Sequence, residues 1–158
     1  MRYVLHWQEM GTPCPSYPSD ALTLPLPLPY VAGMDNCPFC HMPSERVIAD
    51  WPLCRVVRDG FPVSKGHTLI IPKRHVTSFF DCSDEERTAL MDALNAIKRD
   101  LDQSLKPDGY NIGINDGPAA GQTIPHLHIH LIPRYTGDQT DPRGGVRWIF
   151  PDKARYWP

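Results

Sequence analysis

From residue 125 to 135 the chain reads Pro-His-Leu-His-Ile-His-Leu-Ile-Pro-Arg-Tyr, and polar and large apolar positions alternate through His126, Leu127, His128, Ile129, His130 and Leu131. That is the period of an extended strand with one buried face. Three imidazoles therefore project from one side while the aliphatic residues enter the core from the other. With a rise of about 3.3 Å per residue, same-face neighbours stand roughly 6.6 Å apart at the backbone, close enough to share a metal or a phosphate. Shorter β-rich stretches run from Arg46 to Trp51, from Cys54 to Arg58 and, after the Asp59-Gly60 turn signal, from His67 to Ile71. Tyr110 to Asn115 adds another. Helical period is sustained after Ser83-Asp-Glu-Glu86, a capping-box pattern, where Leu90, Leu94, Ile97, Leu101 and Leu105 recur until Lys106-Pro107 stops them. This order predicts an α+β fold, a mostly antiparallel five-stranded sheet with one long helix and short helical segments, and not a doubly wound nucleotide fold.

The pattern also divides the chain. Residues 1 to 33 have no sustained period and are punctuated by Pro13, Pro15, Pro18, Pro25, Pro27 and Pro29, so they read as an irregular extension outside the sheet. Such a segment buries too little apolar surface to offset its ordering, and it is expected to be dispensable. The competing expectation is an extended edge arm carrying Leu22, Leu24, Leu26, Leu28 and Tyr30. Residues 34 to 135 form the expected catalytic domain, and residues 136 to 158 a tail packing on it or on a dimer partner.

Composition narrows the chemistry. A chain of 158 residues, 41% hydrophobic, suits one globular domain with a buried core. No apolar run approaches the roughly 20 residues of a spanning helix, so no membrane role is expected. A net charge of −2 lacks the basic footprint of a protein that binds long nucleic acid. Five cysteines, an odd number with only Cys37 and Cys40 closely spaced, argue against a secreted disulfide framework and for a cytoplasmic protein.

A lone histidine is usually structural, and His6 and His41 read that way. Three at period two have no packing advantage over Val or Thr, so they read as a functional face. Metal ligation and nucleophilic catalysis are the two options. The loop leading into the strand offers Gly121, Gln122 and Thr123, a close-approach glycine, an amide and a hydroxyl, and backbone N–H groups in such a turn suit an anion. A phosphate beside a histidine suggests attack on phosphorus. Cys37-Pro-Phe-Cys40 admits redox, buried-thiol and metal readings; the first lacks a thioredoxin-like context and the second gives no reason for the knuckle spacing, which leaves zinc as the sharper choice.

The segments Gly121-Gln-Thr-Ile-Pro-His126-Leu-His128-Ile-His130-Leu-Ile, Gly66-His-Thr-Leu-Ile-Ile-Pro-Lys-Arg-His75 and Asn111-Ile-Gly-Ile-Asn115 together resemble the histidine-triad family of nucleotide hydrolases and transferases, over roughly residues 37 to 135. The resemblance implies that His128 is the nucleophile at an α-phosphorus and that His130 contacts the phosphate and leaving-group side. It also implies that Gln122 and Thr123 donate to non-bridging oxygens, Asn115 holds the phosphate or leaving group, and Asp59 takes the ribose hydroxyls. For Asp59 the plain Asp-Gly turn is the alternative. His75 and His126 are implied as the further zinc ligands with Cys37 and Cys40, while His67 is expected to be structural.

No organic cofactor is expected. The implied partner is a small nucleotide, with a dinucleoside polyphosphate the first expectation; a nucleoside phosphoramidate comes next, and a non-catalytic nucleotide-binding adaptor is the reading from another class. The resemblance also implies a homodimer with continuous sheets, for which the helix from Ser83 to Leu105 is a candidate contact. In the tail, Arg143, Arg147, Lys153 and Arg155 suit either polyphosphate contact or packing.

Overall fold

A computed structural model describes residues 36–157, so the expectations for residues 1 to 33 fall outside the described residues. Five strands form one sheet: β1 (Val47–Asp50), β2 (Cys54–Arg58), β3 (Thr68–Pro72), β4 (Gly109–Gly113) and β5 (Ile129–Arg134). Their spatial order is β1-β2-β3-β5-β4, and every neighbouring pair is antiparallel. The long helix α1 (Asp84–Ser104) lies between β3 and β4 in the chain. The fold is the expected α+β arrangement.

Helix α1 starts and stops for local reasons. The Ser83 hydroxyl accepts from the Glu86 N–H (3.2 Å), and the Glu86 carboxylate accepts from the Ser83 N–H (2.8 Å), so each satisfies an otherwise orphan donor. At the other end Lys106 turns left-handed with φ 49°, ahead of Pro107. Between them Leu90, Ala93, Leu94, Ile97 and Leu101 pack on one face of the sheet against Cys54, Val56, Ile70, Leu127, Ile129 and Leu131. The apolar stripe of the helix is therefore spent on its own sheet. Only its polar side is left for a dimer contact.

The opposite face of the sheet carries a smaller cluster in which Cys37, Phe39 and Met42 cover Val57, Leu69 and Ile71. This two-sided cover explains why all five residues of β3 are buried. The close approach of α1 to the turn before β3 requires glycine at position 66. Gly66 has φ +90°, and a Cβ there would lie 2.6 Å from Leu105 Cδ1.

The histidine segment enters the sheet later than its alternation predicts. Pro72, the last residue of β3, has no N–H, and its carbonyl is taken by a side chain, so the β3–β5 ladder runs only from Ile70↔Ile129 to Thr68↔Leu131. Ahead of it the His126 N–H closes a tight turn on the Ile124 carbonyl (2.8 Å), and the Leu127 N–H bonds Val76 (2.7 Å). Of the triad, only His130 lies within the ladder.

After β5 the tail forms a 3-10 turn (Gly145–Ile149) and a short helix α2 (Pro151–Ala154). Its cations are largely used internally: Arg143 pairs with Asp141 (2.9 Å), and Arg147 donates to the carbonyls of Ala154 (3.1 Å) and Lys153 (2.7 Å). Arg143 and Arg147 also lie over the rings of Trp157 and Tyr156.

One ion pair ties α1 to the segment that follows β3. Arg74 clasps the Glu86 carboxylate through two N–H groups at 2.8 and 2.7 Å, which with the Ser83 N–H holds that carboxyl down at about 2. The value lies below the ordinary 4.5, so this stabilisation is fully present above about pH 4.5 and is lost as pH falls toward 2. Because the Arg74 side chain is 54% exposed, Glu86→Gln is expected to cost only about 1–2 kcal/mol at neutral pH. Urea unfolding should show that loss together with a flatter pH dependence between those limits.

Candidate functional site

The three histidines of the segment share a face, but they meet different neighbours. His126 is 1% exposed. Its Nε2–H donates to the Pro72 carbonyl (2.9 Å), which leaves Nδ1 with a lone pair directed at Cys37 Sγ (3.3 Å) and Cys40 Sγ (3.5 Å). His75 Nδ1 stands 3.2 Å from Cys40 Sγ. A tetrahedral zinc bound at about 2.3 Å to sulfur and 2.0–2.1 Å to nitrogen places adjacent S and N ligands about 3.5 Å apart. The ligand atoms of Cys37, Cys40, His75 and His126 all lie within 4.8 Å of one another, so the donor set fits such an ion in number, type and spacing. Burial and the neighbouring Cys37 thiol push Cys40 up to about 11.

His128 is buried beneath Phe39, whose ring meets it edge-on at 5.3 Å between centroids. Its Nδ1–H donates to the His126 carbonyl (2.8 Å). In the neutral ring this places the proton on Nδ1 and the lone pair on Nε2. The carbonyl also faces any positive charge that develops on the ring.

His130 belongs to a third environment. The Val63 N–H donates to His67 Nδ1 (3.3 Å), so the His67 proton sits on Nε2, which lies 3.0 Å from His130 Nδ1 and 3.3 Å from Asp59 Oδ2. His130 Nδ1 is thus an acceptor, and its proton resides on Nε2. Burial, helped by His128 and His67, lowers His130 to about 4 against the opposing pull of Asp59. His67 is lowered for the same leading reason. Asp59 is anchored as well, since its Oδ1 accepts from the Phe61 N–H (2.8 Å).

The loop preceding the triad is held from within. Gly117 and Gly121 both adopt positive φ, and the 4%-exposed Gln122 spans the loop, accepting from the Gly117 N–H (3.0 Å) and donating to the Thr77 carbonyl (2.8 Å). Asp116 accepts from the Ser78 hydroxyl (3.0 Å) and the Phe79 N–H (2.9 Å) on the facing segment. Asn115 reaches the Gly121 carbonyl at 3.4 Å, and Thr123 is exposed at the mouth of the loop. Gln122 thus meets backbone at both ends of its amide, and Asn115 and Thr123 remain nearer the open side.

A family model for the HIT domain matches residues 42–137. The chain belongs to the HIT domain family. Protein hit of Bacillus subtilis is 37% identical over 106 residues, which cover 64% of this chain and 72% of that one. A protein of Schizosaccharomyces pombe named bis(5'-nucleosyl)-tetraphosphatase (asymmetrical) is 39% identical over 77 residues, 49% of this chain but only 42% of its own length. Among solved structures, a Zn-bound histidine triad family protein from Mycobacterium smegmatis superposes with TM-score 0.62 at 35% identity, covering 69% of this chain and 82% of that one.

Within this HIT chain the fold brings Cys37, Cys40, His75 and His126 into one cluster, and Asp59 to His130 in a second. The second cluster also contains His67, expected from sequence to be a structural hydrogen-bonding residue, which here meets His130 and Asp59. Its position two residues before Leu69, which pairs with His130, was the available signal. Phe39, inside the Cys37-x-x-Cys40 knuckle, also acquires a role as the cover over His128. The buried bonds of Gln122 yield a test: Gln122→Ala leaves the Thr77 carbonyl and Gly117 N–H without their partner and is expected to cost about 1–3 kcal/mol in chemical unfolding.

Proposed function

We propose that this protein hydrolyses nucleoside phosphates at the α-phosphorus through a nucleotidyl-histidine on His128, with dinucleoside polyphosphates as the favoured substrates. One observation carries the reading: the His128 Nδ1–H is committed to the His126 carbonyl, so the opposite nitrogen holds a free lone pair beside His130, with 5.0 Å between the two ring centroids. In the first step Nε2 of His128 forms a bond to the α-phosphorus while the bond from phosphorus to the leaving oxygen breaks, and the leaving group takes the electron pair. Asp59 accepts hydroxyls of the ribose, while Asn115, Gln122, Thr123 and Gly121 bound the phosphate end. In the second step water bonds to phosphorus, the P–N bond breaks with its electrons returning to His128, and the water proton passes to solvent. The products are a nucleoside monophosphate and the shortened nucleotide.

His130 supports the choice of substrate. With Nδ1 accepting from His67 it is a neutral ring that donates a hydrogen bond through Nε2 to the leaving side. That suits a polyphosphate, which departs as an anion, better than the amine of a phosphoramidate, which must depart protonated. The relative from Schizosaccharomyces pombe, by its name a bis(5'-nucleosyl)-tetraphosphatase, supports the same order.

Zinc at Cys37, Cys40, His75 and His126 belongs to this reading as a structural ion. Such an ion supplies folding free energy, and here it would hold the knuckle and Phe39 over His128. The bound ion of the mycobacterial neighbour supports it.

His128→Ala and His128→Asn are expected to abolish monophosphate release from diadenosine polyphosphates, with nucleotide affinity retained. Quenched wild-type protein should carry an added nucleotidyl mass. Wild-type rates in the alanine variant overturn the nucleophile, and faster release from adenosine phosphoramidate than from the polyphosphates reverses the substrate order.

Elemental analysis of protein purified without added metal is expected to find about one zinc per chain. Cys37→Ser or Cys40→Ser should lower both the metal content and the melting temperature, and metal-free protein with unchanged melting refutes the site.

A further inference from the structure

Apart from the Cys/His cluster, the donor atoms of Asp59, His67 and His130 also lie within 4.8 Å of one another. The pairwise separations are 3.0 Å for His67 Nε2 to His130 Nδ1, 3.3 Å for His67 Nε2 to Asp59 Oδ2, and 3.9 Å for His130 Nδ1 to Asp59 Oδ2. Ligand atoms about 2.0–2.1 Å from a tetrahedral zinc stand about 3.3–3.4 Å from one another, close to the mean of these three edges. Two imidazoles and a carboxylate are a normal zinc donor set with a fourth position open. The side chains are 4%, 14% and 21% exposed for His67, Asp59 and His130, so the triangle is set into the protein with His130 its most open member.

We propose that Asp59, His67 and His130 form a second zinc site that inhibits the enzyme. Zinc needs a lone pair from each member. Asp59 and His130 Nδ1 present one already. His67 must move its ring proton from Nε2 to Nδ1, which gives up the long 3.3 Å bond from the Val63 N–H and releases no net proton. Val63 itself is exposed, so its N–H can turn to water once that bond is given up.

Zinc at this triangle and a productively bound nucleotide exclude each other. The ion occupies the carboxylate assigned to the ribose and replaces the hydrogen bond that sets the His130 ring. The site is independent of the Cys37, Cys40, His75 and His126 cluster, with which it shares no ligand. The inhibition rests on the hydrolase reading; the stoichiometry does not.

The test is equilibrium dialysis of the full chain against buffered zinc up to about 0.1 mM free ion, with metal per chain read by elemental analysis. Wild-type protein is expected to take up one equivalent more than Asp59→Asn or His67→Asn, and adenosine monophosphate should displace that extra equivalent. Cobalt added to protein whose thiolate cluster is already filled with zinc should give visible absorption without sulfur-to-metal charge transfer, and the substitution at His67 should remove it. In parallel, diadenosine polyphosphate hydrolysis is expected to fall at least tenfold as the extra equivalent binds and to recover on dilution into a weak chelator. Equal zinc uptake by wild type and both variants overturns the site. If the extra equivalent binds and is displaced by the monophosphate in a protein without hydrolase activity, the site stands and the proposed reaction fails. Binding of the extra equivalent with unchanged hydrolysis overturns the inhibitory role.

Discussion

The bond from the His126 imidazole to the carbonyl of Pro72 organises the active face of this HIT protein. Pro72 ends its strand without an N–H to offer, and its carbonyl is available to a side chain. By taking the Nε2–H of His126, that carbonyl decides which nitrogen faces the two thiols. It also fixes the backbone turn at His126, whose own carbonyl then receives the Nδ1–H of His128. The orientations of the His126 and His128 rings are consequently set by two carbonyls along one short path. Neither depends on a charged group, which suits a region where burial lowers His126 to about 4.

A division of labour across the sheet follows from the alternation of its side chains. Leu127, Ile129 and Leu131 bury themselves against α1, and in doing so they hold the intervening histidines rigidly on the other face. The core packing on one side is therefore the positioning device for the chemistry on the other. His126, His128 and His130 then differ in environment because each meets a different partner: thiols, a backbone carbonyl and a second imidazole.

Most of the architecture was legible because its signals are local. The capping box at Ser83 and Glu86, the leucine period of α1 and the strand alternation each point to one element, and the elements appear in that order. The limits of the histidine strand were not legible. Alternation continues through His126 and His128, yet pairing begins only at Ile129, since the ladder depends on where the partner strand runs out of donors. The partner of His67 was hidden for a similar reason. The contact with His130 spans 63 residues and arises from strand register, which no single segment displays. Gln122 shows the opposite case, a residue found through its motif whose amide is consumed by backbone 45 residues away.

The close approach at Gly66 has a consequence for how this protein can change. The residue adjoins His67, its backbone is left-handed, and its missing side chain is where Leu105 and Leu101 of the helix end come to rest. The rear of the molecule therefore reaches within one residue of the reactive cluster through rigid apolar contact. A bulkier side chain at Leu101 or Leu105 would press on the backbone of Gly66, one residue from His67. Sequence drift at this end of the helix is thus constrained by the backbone it packs on, and substitutions that shift the Asp59, His67 and His130 cluster can be sought there as readily as within the cluster itself.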